Sequence, residues 1–108
     1  MESIAKVFLF LDDLRQAPPN AVCCRTAEEA IRWLATGKVE RISFDHDLGA
    51  ELTGYDVAKQ IEQWVAEGVI TMPVWEVHSA NPVGRKNITA AMQSAERIQQ
   101  NKKPSSSR

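Results

Sequence analysis

Three apolar, strand-like runs in this chain each stop at a polar motif. Val7-Phe8-Leu9-Phe10-Leu11 ends at Asp12-Asp13, Arg41-Ile42-Ser43-Phe44 ends at Asp45-His46-Asp47, and Met72-Pro73-Val74-Trp75-Glu76-Val77 ends at His78-Ser79-Ala80-Asn81. The first run has no polar–apolar alternation, the pattern of a strand buried on both faces and therefore central in a parallel sheet. Ligands of open parallel α/β sheets bind outside the carboxyl ends of the strands, so the three motifs would bring several acids and both histidines of the chain to one crevice.

Helical segments separate the later runs. Gln16-Ala17-Pro18-Pro19-Asn20 breaks any helix after the first strand, so a loop leads to a short second strand at about Ala21 to Cys24. Thr26 and Glu29 form a capping-box pattern before Ala27, Ala30, Ile31 and Leu34, and Gly37 supplies the stop. Thr53-Gly54 opens a second helix carrying Tyr55, Ala58, Ile61, Trp64 and Val65, closed by Gly68. Asn81-Pro82 starts a third, with Ile88, Ala91, Met92, Ala95 and Ile98 on its apolar stripe. The outward Glu76 suits an edge strand. This order predicts an α/β fold: a small three-layer, flavodoxin-like parallel sheet of strand order 2-1-3-4, without a clear fifth strand. A single domain would cover residues 1–100, with a solvated tail at 101–108.

Composition narrows the classes of function. With 108 residues, 44% hydrophobic, and a formal net charge of -1, the chain suits one compact domain and shows no electrostatic footprint for long duplex nucleic acid. Cys23 and Cys24 are adjacent, too strained to bridge and too few for a metal cage, so both are expected reduced in a short strand. Trp33, Trp64 and Trp75 are read as packing residues. The apolar run after the amino terminus is too short for a signal-peptide core or a membrane span, and a cytoplasmic protein is expected.

The strand-end residues carry the chemistry. Asp12 and Asp13, with a third carboxylate from Asp45 or Asp47, offer the sparse oxygen ligand set that holds Mg²⁺ or Mn²⁺ beside a substrate phosphate. Aspartates also cap helices and form turns. His46 and His78 are candidates for proton transfer or metal ligation, His78 first because it directly precedes the third helix, whereas His46 could pack beneath the acids. Asn81-Pro82-Val83-Gly84-Arg85 would present backbone N–H groups to an anion, Gly84 permitting close approach and Arg85 a bidentate cation. Arg15 is a further phosphate clamp, or a counter-charge to its neighbouring aspartates.

Four motifs carry a resemblance: Phe10-Leu11-Asp12-Asp13-Leu14-Arg15 with Pro18; Ser43-Phe44-Asp45-His46-Asp47-Leu48-Gly49; Thr53-Gly54-Tyr55-Asp56; and Val77-His78-Ser79-Ala80-Asn81-Pro82-Val83-Gly84. In this order, from about residue 7 to 98, they resemble the cyclic-phosphate-processing receiver-like domains. The resemblance implies a receiver-like fold, an acidic pair at Asp12 and Asp13, a third acid at Asp45 or Asp47, and the receiver hydroxyl at Ser79. It also implies hydrolysis of a cyclic phosphate in a nucleotide or at an RNA end. The chain departs from a phosphoacceptor receiver in its histidines at 46 and 78 and in lacking a fifth strand with its lysine.

Two functions are therefore expected to compete. One is a metal-dependent phosphoesterase in which Asp12, Asp13 and Asp45 hold the ion. His78, His46, Asp45 or Asp47 then take part in catalysis, and Arg15, Ser79, Asn81, Gly84 and Arg85 bind phosphate. The other is a signalling module phosphorylated on an aspartate or sensing a nucleotide. A small cyclic phosphate or an RNA end is the expected partner; the residues leave the oligomeric state open.

Overall fold

The computed structural model describes residues 6–102. Four strands and three helices alternate along it: β1 (Val7–Leu11), β2 (Val22–Cys24), α1 (Ala27–Leu34), β3 (Val39–Phe44), α2 (Gly54–Glu67), β4 (Val74–Val77) and α3 (Pro82–Lys102). All strand pairings are parallel, in the order β2-β1-β3-β4. The α/β class, the strand order and the receiver-like arrangement are those expected, with no fifth strand among the described residues. Local chemistry sets the boundaries. Thr26 and Glu29 close the capping box of α1, Thr53 and Asp56 close that of α2, and Gly68 ends α2 in a left-handed conformation at φ 77°. β3 begins at Val39 and β4 at Val74, within two residues of the expected starts.

The number of layers differs from the expectation. The connections β2–α1–β3 and β3–α2–β4 step the same way across the sheet, and right-handed crossovers stepping the same way lie on one face. α1 packs on α2, and α2 packs on α3. The connection that steps the other way, from β1 to β2, is the proline-containing loop, so among the described residues no helix covers the opposite face.

Burial follows this division. Leu9, Leu11, Ile42 and Phe44 point to the helices and are fully buried, joining Val57, Ala58, Ile61, Ile88, Met92 and Ala95 in the core. Phe8 and Phe10 point the other way and are half-buried, beside exposed Arg41 and Glu76. The continuous apolar run of β1 therefore marks a central strand, but not one buried on both faces. Arg41 lies 4.7 Å above the Phe8 ring, which shelters that ring.

Cys24 is buried and Cys23 half-buried, both free, and burial, with Glu29 adding, pushes the Cys24 thiol up to about 12. Trp64 and Trp75 pack against the core, as expected, whereas Trp33 is 36% exposed. α3 continues past residue 100 to Lys102, whose Nζ donates to the Ala66 carbonyl at 2.8 Å. The remainder of the expected tail, 103–108, lies outside the described residues. Among the described residues no helix is long and apolar enough to cross a membrane.

Candidate functional site

The carboxyl ends of β1 and β3 are neighbours, since Leu11 pairs with Phe44, and the residues that follow them meet at the switch point of the sheet. Asp45 N donates to the Leu11 carbonyl at 2.8 Å and Asp12 N to the Cys24 carbonyl at 3.0 Å, so the ladder hydrogen bonds run directly into the site. Asp12, Asp13 and Asp45 each place one carboxylate oxygen within 4.8 Å of the others. Of the two acids left open as the third member, the cluster includes Asp45.

Asp12 is 1% exposed and tightly held. Its Oδ1 accepts the backbone N–H groups of Leu14 and Arg15, both at 2.8 Å, and its Oδ2 lies 2.9 Å from His78 Nε2. Burial alone would raise this carboxyl, but the N–H groups of Arg15 and Leu14, together with the hydrogen bond and charge of His78, outweigh it and hold the group below its ordinary 3.8. Arg25, which the sequence did not single out, donates from Nη1 to the carbonyls of Asp12 and Arg15 at 2.9 and 2.7 Å. It ties the β1–β2 loop to the end of β2.

The β3–α2 loop brings the third acid. Asp45 Oδ1 accepts the His46 N–H at 2.8 Å, and Gly54 N donates to the His46 carbonyl at 2.9 Å. A Cβ on Gly54 would collide with the Asp45 carbonyl, so the glycine lets α2 start directly against the acid-bearing loop. Asp47 is exposed and holds His46 Nδ1 at 3.0 Å and Asn81 Nδ2 at 3.3 Å. The His46 bond, then the Asn81 bond, keeps its carboxyl below the ordinary range.

Around the cluster is an open cleft of about 420 Å³, lined by Asp12, Asp13, Leu14, Arg15, Asp45, Asp47, Gly49 and Ala80. Five of the expected site residues, Asp12, Asp13, Arg15, Asp45 and Asp47, line it. Arg15 reaches across to the third strand end, Nη1 donating to the His78 carbonyl at 3.4 Å.

The remaining expected residues do not line the cleft. Ser79 is 3% exposed and its Oγ accepts the Asn81 N–H at 3.1 Å. Asn81 Oδ1 accepts the Gly84 N–H at 3.0 Å, capping α3 and closing the helix start to an anion at that group. Arg85 donates to the carbonyls of Val77 and Ser79 at 3.3 and 3.2 Å. Gly84 does permit a close approach, but by the His46 ring, which fills the place a Cβ would take. Gly84→Ala is therefore expected to displace His46 and to cost about 1–3 kcal/mol. Urea denaturation with the His46 ring NMR shifts checks this, and an unshifted His46 signal in a fully stable variant would contradict the contact.

His78 stands behind the acids rather than in the cleft. Its ring stacks on Phe10 with centroids 4.6 Å apart at 3°, and its Nδ1 lies 2.7 Å from Ser43 Oγ. Ser43 and Phe10 were not anticipated. The available signal was a serine between Ile42 and Phe44 in a strand, pointing to the face of Phe10, its register partner.

Comparison with curated proteins gives no match, and comparison with solved structures gives none. A family model described as the cyclic-phosphate processing receiver domain matches residues 7–94, from the start of β1 into the second half of α3 and across every residue of the acidic cleft. The chain therefore belongs to the cyclic-phosphate processing receiver domain family.

Proposed function

We propose that this domain holds a divalent ion, Mg²⁺ or Mn²⁺, on Asp12, Asp13 and Asp45 and opens a cyclic phosphodiester in a nucleotide or at an RNA end. The observation that carries the reading is the convergence of three carboxylate oxygens within 4.8 Å in an open cleft. The donor set fits: these are hard oxygen ligands, few enough that water and a substrate phosphate complete the shell, and one of them is already fixed by N–H groups. When bound, the ion would polarise the phosphoryl oxygens and offset their charge.

The chain's own residues supply the rest. Arg15, with N–H groups beyond the one on the His78 carbonyl, pairs with phosphoryl oxygen. Asp47, held ionised by His46 and Asn81, accepts a hydrogen bond from the attacking water and orients it. Water adds to phosphorus and gives up a proton to the Asp47 carboxylate, one ring P–O bond breaks, the departing oxygen takes a proton from solvent in the open cleft, and Asp47 returns its proton to solvent. The cleft, about 420 Å³, has room for a small ring, which favours a nucleotide or a chain end over a duplex.

A phosphatase-coupled screen of 2′,3′- and 3′,5′-cyclic nucleotides and cyclic-phosphate-ended RNA, with Mg²⁺ and Mn²⁺, tests the proposal. Turnover that is lost in Asp13→Asn and abolished by chelator is expected; no turnover on any of them would overturn the catalytic reading. One observation favours a regulatory module instead, namely that neither histidine lines the cleft. A stable added phosphoryl group on Asp45, seen by intact mass after acetyl phosphate treatment, would support that second reading.

A further inference from the structure

A hydrogen-bonded chain runs from inside the sheet to the cleft: Ser43 Oγ to His78 Nδ1 at 2.7 Å, His78 Nε2 to Asp12 Oδ2 at 2.9 Å. Its members come from three strand ends placed on one face by register, Phe10 opposite Ser43 and Ser43 opposite Glu76. We infer that His78 and Ser43 are positioning residues for Asp12, fixing which of its lone pairs remain open to a metal ion, and that His78 is not the proton donor to substrate. The inference rests on the reading of Asp12 as a ligand.

Hydrogen-bond chemistry sets the direction of the chain. An ionised carboxylate only accepts, so Nε2 of His78 carries a proton and donates to Asp12; in the neutral ring Nδ1 then accepts the Ser43 hydroxyl proton. Both ring nitrogens are then engaged inside the protein. The ring has little freedom, clamped flat against Phe10 with its side chain 16% exposed. Ser–His–Asp is also the order of a nucleophilic triad, but Ser43 is 1% exposed, so no substrate carbon or phosphorus reaches its oxygen. The arrangement instead matches the way outer hydrogen bonds orient ligating side chains.

The test compares His78→Phe, which keeps a ring on Phe10 but removes the donor, with His78→Gln, which keeps an N–H for Asp12, and with Ser43→Ala. Mn²⁺ affinity is read by water-proton relaxation, folding by urea denaturation, and the His78 tautomer of the wild type by long-range ¹⁵N–¹H NMR. Expected are the Nε2–H tautomer, a loss of Mn²⁺ affinity of about 10–100-fold in His78→Phe, substantial retention in His78→Gln, and a loss of about 10-fold in Ser43→Ala. A proton donor to substrate would instead lose turnover alike in both His78 variants with Mn²⁺ affinity unchanged. An Nδ1–H tautomer, or affinities of folded His78→Phe and Ser43→Ala within about twofold of wild type, would overturn the inference while leaving the metal reading intact. Should His78→Phe not fold, Ser43→Ala decides by the same criterion. A wild type that binds no Mn²⁺ would overturn the metal reading and the inference together.

Discussion

Asp12→Ala is expected to destabilise the protein by about 2–4 kcal/mol even without metal, an unusual outcome for an acid at a cleft rim. The reason is the number of donors it satisfies: removing the carboxylate leaves the N–H groups of Leu14 and Arg15 and the Nε2–H of His78 without acceptors in a region that is 1% exposed at Asp12. Asp12→Asn should cost much less, because its amide oxygen still accepts from the backbone and its amide nitrogen can donate to His78 after a tautomer change.

Acid unfolding gives the matching test. The folded Asp12 carboxyl ionises below its ordinary 3.8, so the stability it contributes is in place above that value and is lost as pH falls through the folded value. In metal-free buffer, Asp12→Asn should therefore lose less stability than wild type over the acid limb below about pH 4. Urea midpoints across that range decide it, and parallel curves for the two proteins would contradict the assigned hydrogen bonds.

Phe44→Ala is the second large effect, about 3–5 kcal/mol, because its ring is fully buried between the sheet and the helices and leaves a cavity. Phe10→Ala should cost well under half as much, about 1–2 kcal/mol, since its ring is only partly buried and rests on His78 instead of filling the core. The contrast tests the one-sided sheet directly. Equal losses would mean that the Phe10 face is covered as thoroughly as the Phe44 face.

Much of this was legible in the chain. The motif Asp12-Asp13 after five apolar residues, the second acid set after Phe44, and the two capping boxes each follow from local chemistry, and local chemistry is written in neighbouring residues. The strand order followed as well, because right-handed crossovers leave few ways to arrange four parallel strands. At Gly84 the sequence says less. A glycine declares that something comes close, and only the tertiary contact says that it is the His46 ring.

The sequence by itself determined the elements, their pairing, and that acids would gather at the switch point, since strand periodicity, caps and crossover handedness are set by short-range sterics and hydrogen bonding. Tertiary structure alone decided that, among the described residues, no helix covers one face of the sheet, because apolar runs such as Val7–Leu11 look the same whether helices pack on one face or both. It also decided which acid completes the cluster and where each histidine nitrogen points. Asp45 and Asp47 are two residues apart on one loop, and His78 lies 66 positions from Asp12, so their meeting depends on the packed loop and on register across three strands, which no local pattern records.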